Sequence, residues 1–197
     1  MICSYLRRPF DHPDYVQSER PQWEPADERD ADRERQVRLA AQRVIGELVP
    51  DRRQEPGTPL NLDLTGALLD YIDLSGKAIG QLVLRDAQLH GTTRFSATEI
   101  HGDTWFTRAV SYGELKCDNA VFRGLSNFPH LTAHARVSFE GAHFQQGAVF
   151  LSSEFHGPVT LAGSTFDKSV DLRRTCSAAT STSVASCLAL SVPVPAG

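Results

Sequence analysis

The sequence predicts an all-β fold: a right-handed parallel β-helix with one N-terminal capping α-helix. Three observations predict it. From Leu84 onward an apolar residue recurs every eleven positions: Leu84, Phe95, Phe106, Cys117, Phe128, Phe139, Phe150, Leu161 and Leu172. A companion series lies five positions later, at Leu89, Ile100, Ser111, Phe122, Ala133, Phe144, Phe155 and Phe166, and six of its eight members are large and apolar. Upstream the interval is five, through Leu64, Leu69, Leu74, Ile79, Leu84 and Leu89. A chain with 41% hydrophobic residues does not produce such spacing by chance. Repeats of this kind mark units that bury their apolar face only by stacking on one another.

Each unit has a physical reading. In a short extended segment, alternate side chains point the same way, so the large residue and the one two positions before it both face inward. Leu62, Ala67, Ile72, Lys77, Leu82 and Ala87 hold that second position upstream. Further on it holds Thr98, Ala109, Ala120, Leu131, Ala142, Ser153 and Ser164. Dipeptides such as Thr65-Gly66, Ser75-Gly76 and His90-Gly91 suit the turns between segments. The predicted core is Leu64, Leu69, Leu74, Leu84, Leu89, Phe95, Phe106, Phe122, Phe128, Phe139, Phe144, Phe150, Phe155, Leu161 and Phe166.

The units Leu62-Asp63-Leu64-Thr65-Gly66, Ile72-Asp73-Leu74-Ser75-Gly76 and Ala87-Gln88-Leu89-His90-Gly91 resemble the A(D/N)LXX unit of the pentapeptide-repeat proteins. The eleven-residue stretch around Val137–Gly147 resembles the Phe-centred branch of that family. The resemblance implies a four-sided coil of about twenty residues, and roughly 22 where one corner residue is added per pair of faces. A flatter solenoid with eleven residues per coil fits the same spacing. One copy, Ser126–Arg136, is irregular: Leu131 stands in the small slot, Ala133 in the large one, and Pro129 withholds a donor. This reads as a bulge or register defect, and bulges collect near functional sites.

Four segments follow from the pattern. Residues 1–30, with Pro9, Pro13, Pro21 and Pro25, read as extended or disordered. Residues 31–49 read as the capping helix, whose stripe Val37, Ala40, Ala41, Val44, Ile45 and Leu48 is expected to lie over the first coil. Residues 59–172 form the solenoid. Residues 173–197 carry Ser, Ala, Thr and Val in place of the repeat and read as a disordered tail. The box Tyr5-Leu6-Arg7-Arg8-Pro9-Phe10 and the helical Arg35-Gln36-Val37-Arg38 are similar to the segment preceding the repeats in larger, often membrane-anchored pentapeptide-repeat proteins. This chain starts at that box, as a shortened member or a fragment would.

Composition narrows function more than it names it. No run is long enough for a membrane span, and Met1–Phe10 lacks the pattern of a secretory signal. Cys3, Cys117, Cys176 and Cys187 make no CxxC pairing, so a reducing, cytoplasmic setting without disulfides is expected. Neither a nucleophile elbow nor a phosphate loop is present, and no enzyme, cofactor or metal is expected. His90, His101, His134 and His156 share one repeat position and are expected to point outward. Two of them, 22 residues apart, would stack at roughly 22 residues per coil, but a structural metal site needs four ligands.

These features point to a binding or scaffold protein that offers flat faces to a protein partner. The family resemblance supplies an alternative: a DNA mimic that acts on DNA gyrase or topoisomerase. Between Leu60 and Leu172 twelve acids face eight bases. Duplex DNA carries about one charge per 1.7 Å, or around fifteen over a rod of roughly 25 Å, so the excess of four is several-fold too small. A local surface remains, made of Asp63, Asp70, Asp73 and Asp86, with Trp105 as a further contact candidate. Direct nucleic-acid binding is not expected, because no basic stripe exists. Open solenoid ends could join two copies.

Overall fold

The computed structural model describes residues 2–10, 12, 15, 25–53 and 58–177. Two helices precede the coils: α1 (Ile2–Leu6) and α2 (Pro25–Leu48). Four strands begin the solenoid: β1 (Leu60–Asp63), β2 (Leu68–Asp70), β3 (Ala78–Val83) and β4 (Gln88–His90). Two-residue strands follow as β5 (Thr93–Arg94), β6 (Glu99–Ile100), β7 (Thr104–Trp105), β8 (Val110–Ser111), β9 (Leu115–Lys116), β10 (Val121–Phe122), β11 (Ser126–Asn127) and β12 (Thr132–Ala133). The series continues as β13 (Val137–Ser138), β14 (His143–Phe144), β15 (Ala148–Val149), β16 (Glu154–Phe155), β17 (Val159–Thr160), β18 (Thr165–Phe166), β19 (Val170–Asp171) and β20 (Cys176–Ser177).

From β4 onward every fourth strand pairs in parallel with the one before it, so each coil has four sides. One face is β2-β4-β8-β12-β16-β20, and the next is β5-β9-β13-β17. The columns β6-β10-β14-β18 and β7-β11-β15-β19 are joined through β3, with β1 paired to its edge. The register settles the coil length. Leu69 pairs with Leu89, 20 positions on, and from there partners lie 22 apart, as Leu89 with Ser111 and Phe122 with Phe144. Eleven residues therefore make half a coil. The molecule is a parallel β-solenoid of about five coils.

The core follows from that register. Leu64, Leu69, Leu74, Leu84 and Leu89 are fully buried, and Phe95, Phe106, Phe122, Phe128, Phe139, Phe144, Phe150 and Phe155 are at most 5% exposed. Phe122, Phe144 and Phe166 stack face to face with 4.7 Å between successive rings, which is the spacing of neighbouring strands. Hydroxyls in the small slots serve the same stacking. Thr98, Ser153 and Thr175 donate to the carbonyls of Leu74, Phe128 and Phe150 at 2.6–2.7 Å. Leu161 and Phe166 are only half-buried, because no further described coil covers them.

Several sequence expectations need correction. Ile2–Leu6 is helical and Leu6 is fully buried, so the segment before residue 31 is not wholly extended. Helix α2 begins at Pro25 rather than 31. The repeat runs on past Leu172: β20 pairs with β16, while residues 178–197 of the expected tail lie outside the described residues. The copy at Ser126–Arg136 has no register defect, since β11 and β12 pair in step with both neighbours. Leu131 and Ala133 are both fully buried. The larger Leu131 supplies volume that Ser111 and Ala133 withhold, a swap that close packing tolerates, and Pro129 sits in a corner between strands.

Corners carry left-handed backbone. Asp86, Arg108, His130, Ser152 and Arg174 recur at 22-residue intervals with φ of 55–56°. Each of the first four donates its amide to a carbonyl of the next coil, for example His130 to Leu151 at 2.9 Å. That regular bond offsets a conformation costing non-glycine residues about 1–2 kcal/mol.

Two stability contrasts follow. Phe139→Ala is expected to cost about 3–5 kcal/mol, and Phe166→Ala about half as much, measured by urea unfolding. A methyl on Gly113 would sit 1.5 Å from the Gly91 carbonyl oxygen, so Gly113→Ala forces two coils apart and should lower Tm sharply. Gly76→Ala meets nothing within 4 Å despite its φ of +69°, and should cost only about 1–2 kcal/mol.

Candidate interaction surface and N-terminal cap

Helix α2 closes the first coil, but only Ala41 and Ile45 of the stripe expected for it face the core. Ala31, Arg38, Gln42, Ile45 and Val49 are buried, whereas Val37, Val44 and Leu48 are 53%, 38% and 59% exposed. Polar docking sets this rotation. Gln42 Oε1 accepts the Asp70 amide at 3.0 Å, so Gln42 must face β2. Arg38 must face the N-terminal strap: it donates to the Leu6 and Arg8 carbonyls at 3.1 and 2.8 Å, and its guanidinium lies 4.6 Å from the Phe10 ring centre. Tyr5 donates to Glu34 at 2.7 Å; burial, together with that bond, raises the phenol pKa above its ordinary value. Arg7 reaches Asp63 at 2.6 Å. The Tyr5–Phe10 box is thus a strap clamped to α2 by Arg38.

Beyond the box, Tyr15 meets the solenoid at a row of rings. Tyr15, His90, Tyr112, His134 and His156 stack in order, with centroid separations of 4.1, 4.6, 5.2 and 5.0 Å. The last two contacts are nearly parallel, at 3° and 11° between ring planes. Strand pairing explains the row, because its solenoid members stand at equivalent positions, at the end of β4 and directly after β8, β12 and β16, which pair in sequence. Exposure grows along it: His90 is 7% exposed, Tyr112 is half-buried, and His134 and His156 are exposed. His90 therefore does not point into solvent as expected, because Tyr15 covers it. His101 belongs to another face, where it lies 3.3 Å from Glu99. The eleven-residue interval alternates between faces, so the four histidines split.

The acidic patch is largely neutralised. Asp70 is buried, at 4% exposure; its Oδ2 accepts from Arg35 Nη2 at 2.8 Å and from the Tyr15 hydroxyl. It is part of the cap and not of an exposed acidic surface. Asp63 holds Arg7 and the Thr65 amide, and Asp86 holds Arg108 through two bonds of 2.6 and 2.8 Å. Asp73 is exposed and caps a turn through the Ser75 amide at 2.9 Å. Trp105 is half-buried, with the Arg85 guanidinium 4.2 Å from its ring centre. Sequence reasoning missed Tyr15, and it marked Arg35 and Arg38 only as part of a helical box, without their docking roles.

Other chemistry finds little support. Among the described residues no group of three or more His, Cys, Asp or Glu side chains is placed to hold a metal. A polar hollow of about 600 Å³ is lined by Asp51, Arg52, Arg53, Gly76, Ala97 and Asn119. There Arg52 donates to the Ala97 carbonyl at 2.8 Å, and Asp51 pairs with Lys77 at 2.9 Å. Burial pushes the Cys117 thiol up, which keeps it protonated and inert. No helix among the described residues is long and apolar enough to cross a membrane.

Parallel coils, short strands and inward Leu and Phe define the class: a repeat solenoid in which each coil contacts only its neighbours. The family model described as Pentapeptide repeats (9 copies) matches residues 134–175. Residues 134–175 therefore carry pentapeptide repeats, and the 22-residue register that pairs their strands extends back to β4. No curated protein and no solved structure matches it.

The cap makes a direct prediction. Arg38→Met leaves the Leu6 and Arg8 carbonyls without their charged donor. It should cost about 2–3 kcal/mol and speed proteolytic cleavage within residues 2–15, read by mass spectrometry.

Proposed function

We propose that the protein is a non-enzymatic scaffold that binds a protein partner on the face carrying Tyr112, His134 and His156. The exposed ring row is the observation that carries this reading. Its rungs are set by backbone pairing, so little side-chain entropy is lost on contact. Tyrosine is enriched at protein interfaces, and a flat row of ring edges offers both apolar area and polar tips.

The charged columns on other faces are less available, because they are paired within and between coils. Arg123 holds Glu99 at 2.7 Å, His143 holds Asp167 at 2.9 Å and Arg108 holds Asp86 at 2.6 Å. A partner would have to break such pairs before using them. The DNA-mimic reading draws less support for the same reason: Asp63, Asp70 and Asp86 already face arginines.

The test compares the wild-type protein with Tyr112→Ser/His134→Ser/His156→Ser and with Arg94→Ser/Lys116→Ser on the neighbouring face. Each is immobilised and exposed to native lysate, and captured proteins are ranked by enrichment. The reading expects a partner retained by wild type and by the Arg94/Lys116 variant, and weakened about tenfold or more by the ring-row variant, a loss of ~1.4 kcal/mol. Equal capture by all three would refute it. Inhibition of gyrase supercoiling would instead favour mimicry.

A further inference from the structure

We propose that Tyr15 is an acid-released latch: its ring closes the row of aromatic side chains on His90, and proton uptake at His90 lifts the N-terminal strap off the first coil. The latch stands whether or not the row binds a partner.

His90 occupies a closed slot. Its ring lies between Tyr15 at 4.1 Å and Tyr112 at 4.6 Å. It is 7% exposed, and its Nε2 has no hydrogen-bond partner among the described residues. A neutral imidazole tolerates such a slot, whereas an imidazolium brings a charge and a new donor into it.

Charged and titratable groups reach this slot from four elements. The strap supplies Tyr15 and, 5.2 Å from that ring, His12, which is itself 3.0 Å from Asp32 of α2. Helix α2 also supplies Arg35, whose guanidinium lies 5.3 Å from the Tyr15 ring centre. Strand β2 supplies Asp70, aligned with His90 in the sheet. From the next coil comes Tyr112. Asp70 is the group that would welcome a proton on His90, but its Oδ2 already accepts from Tyr15 and Arg35. Burial outweighs Asp70, Arg35 adds to burial, and the His90 pKa falls below its ordinary 6.5.

The sign of the effect is fixed. A histidine with a depressed folded-state pKa contributes stability that is complete above about 6.5 and lost as pH falls below it. Relief comes from the strap rather than the coil. Strand β4 is fixed in ladders to β2 and β8, while Tyr15 meets the coil through side-chain contacts. Lifting Tyr15 returns His90 to water and lengthens the exposed row by one rung.

The experiment follows amide hydrogen exchange of residues 2–10 in the full chain at pH 7.5 and pH 5.0, corrected for intrinsic exchange, in wild type and His90→Phe. Phenylalanine keeps the ring stack and cannot take the proton. Wild type is expected to lose protection about tenfold on acidification, and His90→Phe to hold it. An equal loss in both proteins, or no loss in wild type, overturns the latch. If His90→Phe fails to hold the strap at pH 7.5, NMR of wild type decides. The His90 ring protons and the strap amides must titrate with one midpoint, and separate midpoints overturn the proposal.

Discussion

Everything in this molecule depends on coils stacking at the spacing of β-strands. Strands of two residues have no independent stability. They persist because backbone amides and carbonyls find partners in the coil above or below, and because the same step brings ring onto ring inside. The 4.7 Å separation of Phe122, Phe144 and Phe166 reports both facts at once. The corners obey the same constraint: a residue such as Arg108 or Ser152 accepts left-handed backbone where its amide reaches the next coil.

The first coil has no coil before it, and the chain solves that problem with polar chemistry. A purely apolar helix face would cover the core but would leave the β2 edge unpaired. Gln42 answers the edge at the Asp70 amide, and Arg38 gathers the strap through two backbone carbonyls. Burying Gln42 and Arg38 costs desolvation, which those hydrogen bonds offset. The result leaves Val37, Val44 and Leu48 facing outward.

Most of the coil was legible because its signal is periodic. Leu and Phe at fixed intervals name the inward positions, and alternation of side chains names their companions. Coil length was not legible, because eleven residues fit either half a coil or a whole one; strand pairings such as Leu89 with Ser111 and Phe122 with Phe144 separate them. For the same reason His101 could not be told from His90, His134 and His156. The cap was harder. Amphipathic spacing marks a helix in α2 but not the side it buries, since Arg38 and Gln42 read as solvent-facing until their partners are known. Tyr15 carries no periodic signal at all, and the buried Asp70 looks in sequence like the exposed Asp73.

The most direct test of the stacked coil is a pair of engineered disulfides in a background lacking Cys3, Cys176 and Cys187. Val121 and His143 face each other in adjacent coils, within the Cα separation of about 4.4–6.8 Å that a disulfide requires. Val121 and Thr132 stand on different faces of one coil. Mild oxidation should link V121C/H143C readily and leave V121C/T132C reduced, with native far-ultraviolet circular dichroism in both. Efficient linking of V121C/T132C with none in V121C/H143C would mean eleven residues per coil, and would contradict a four-sided stack.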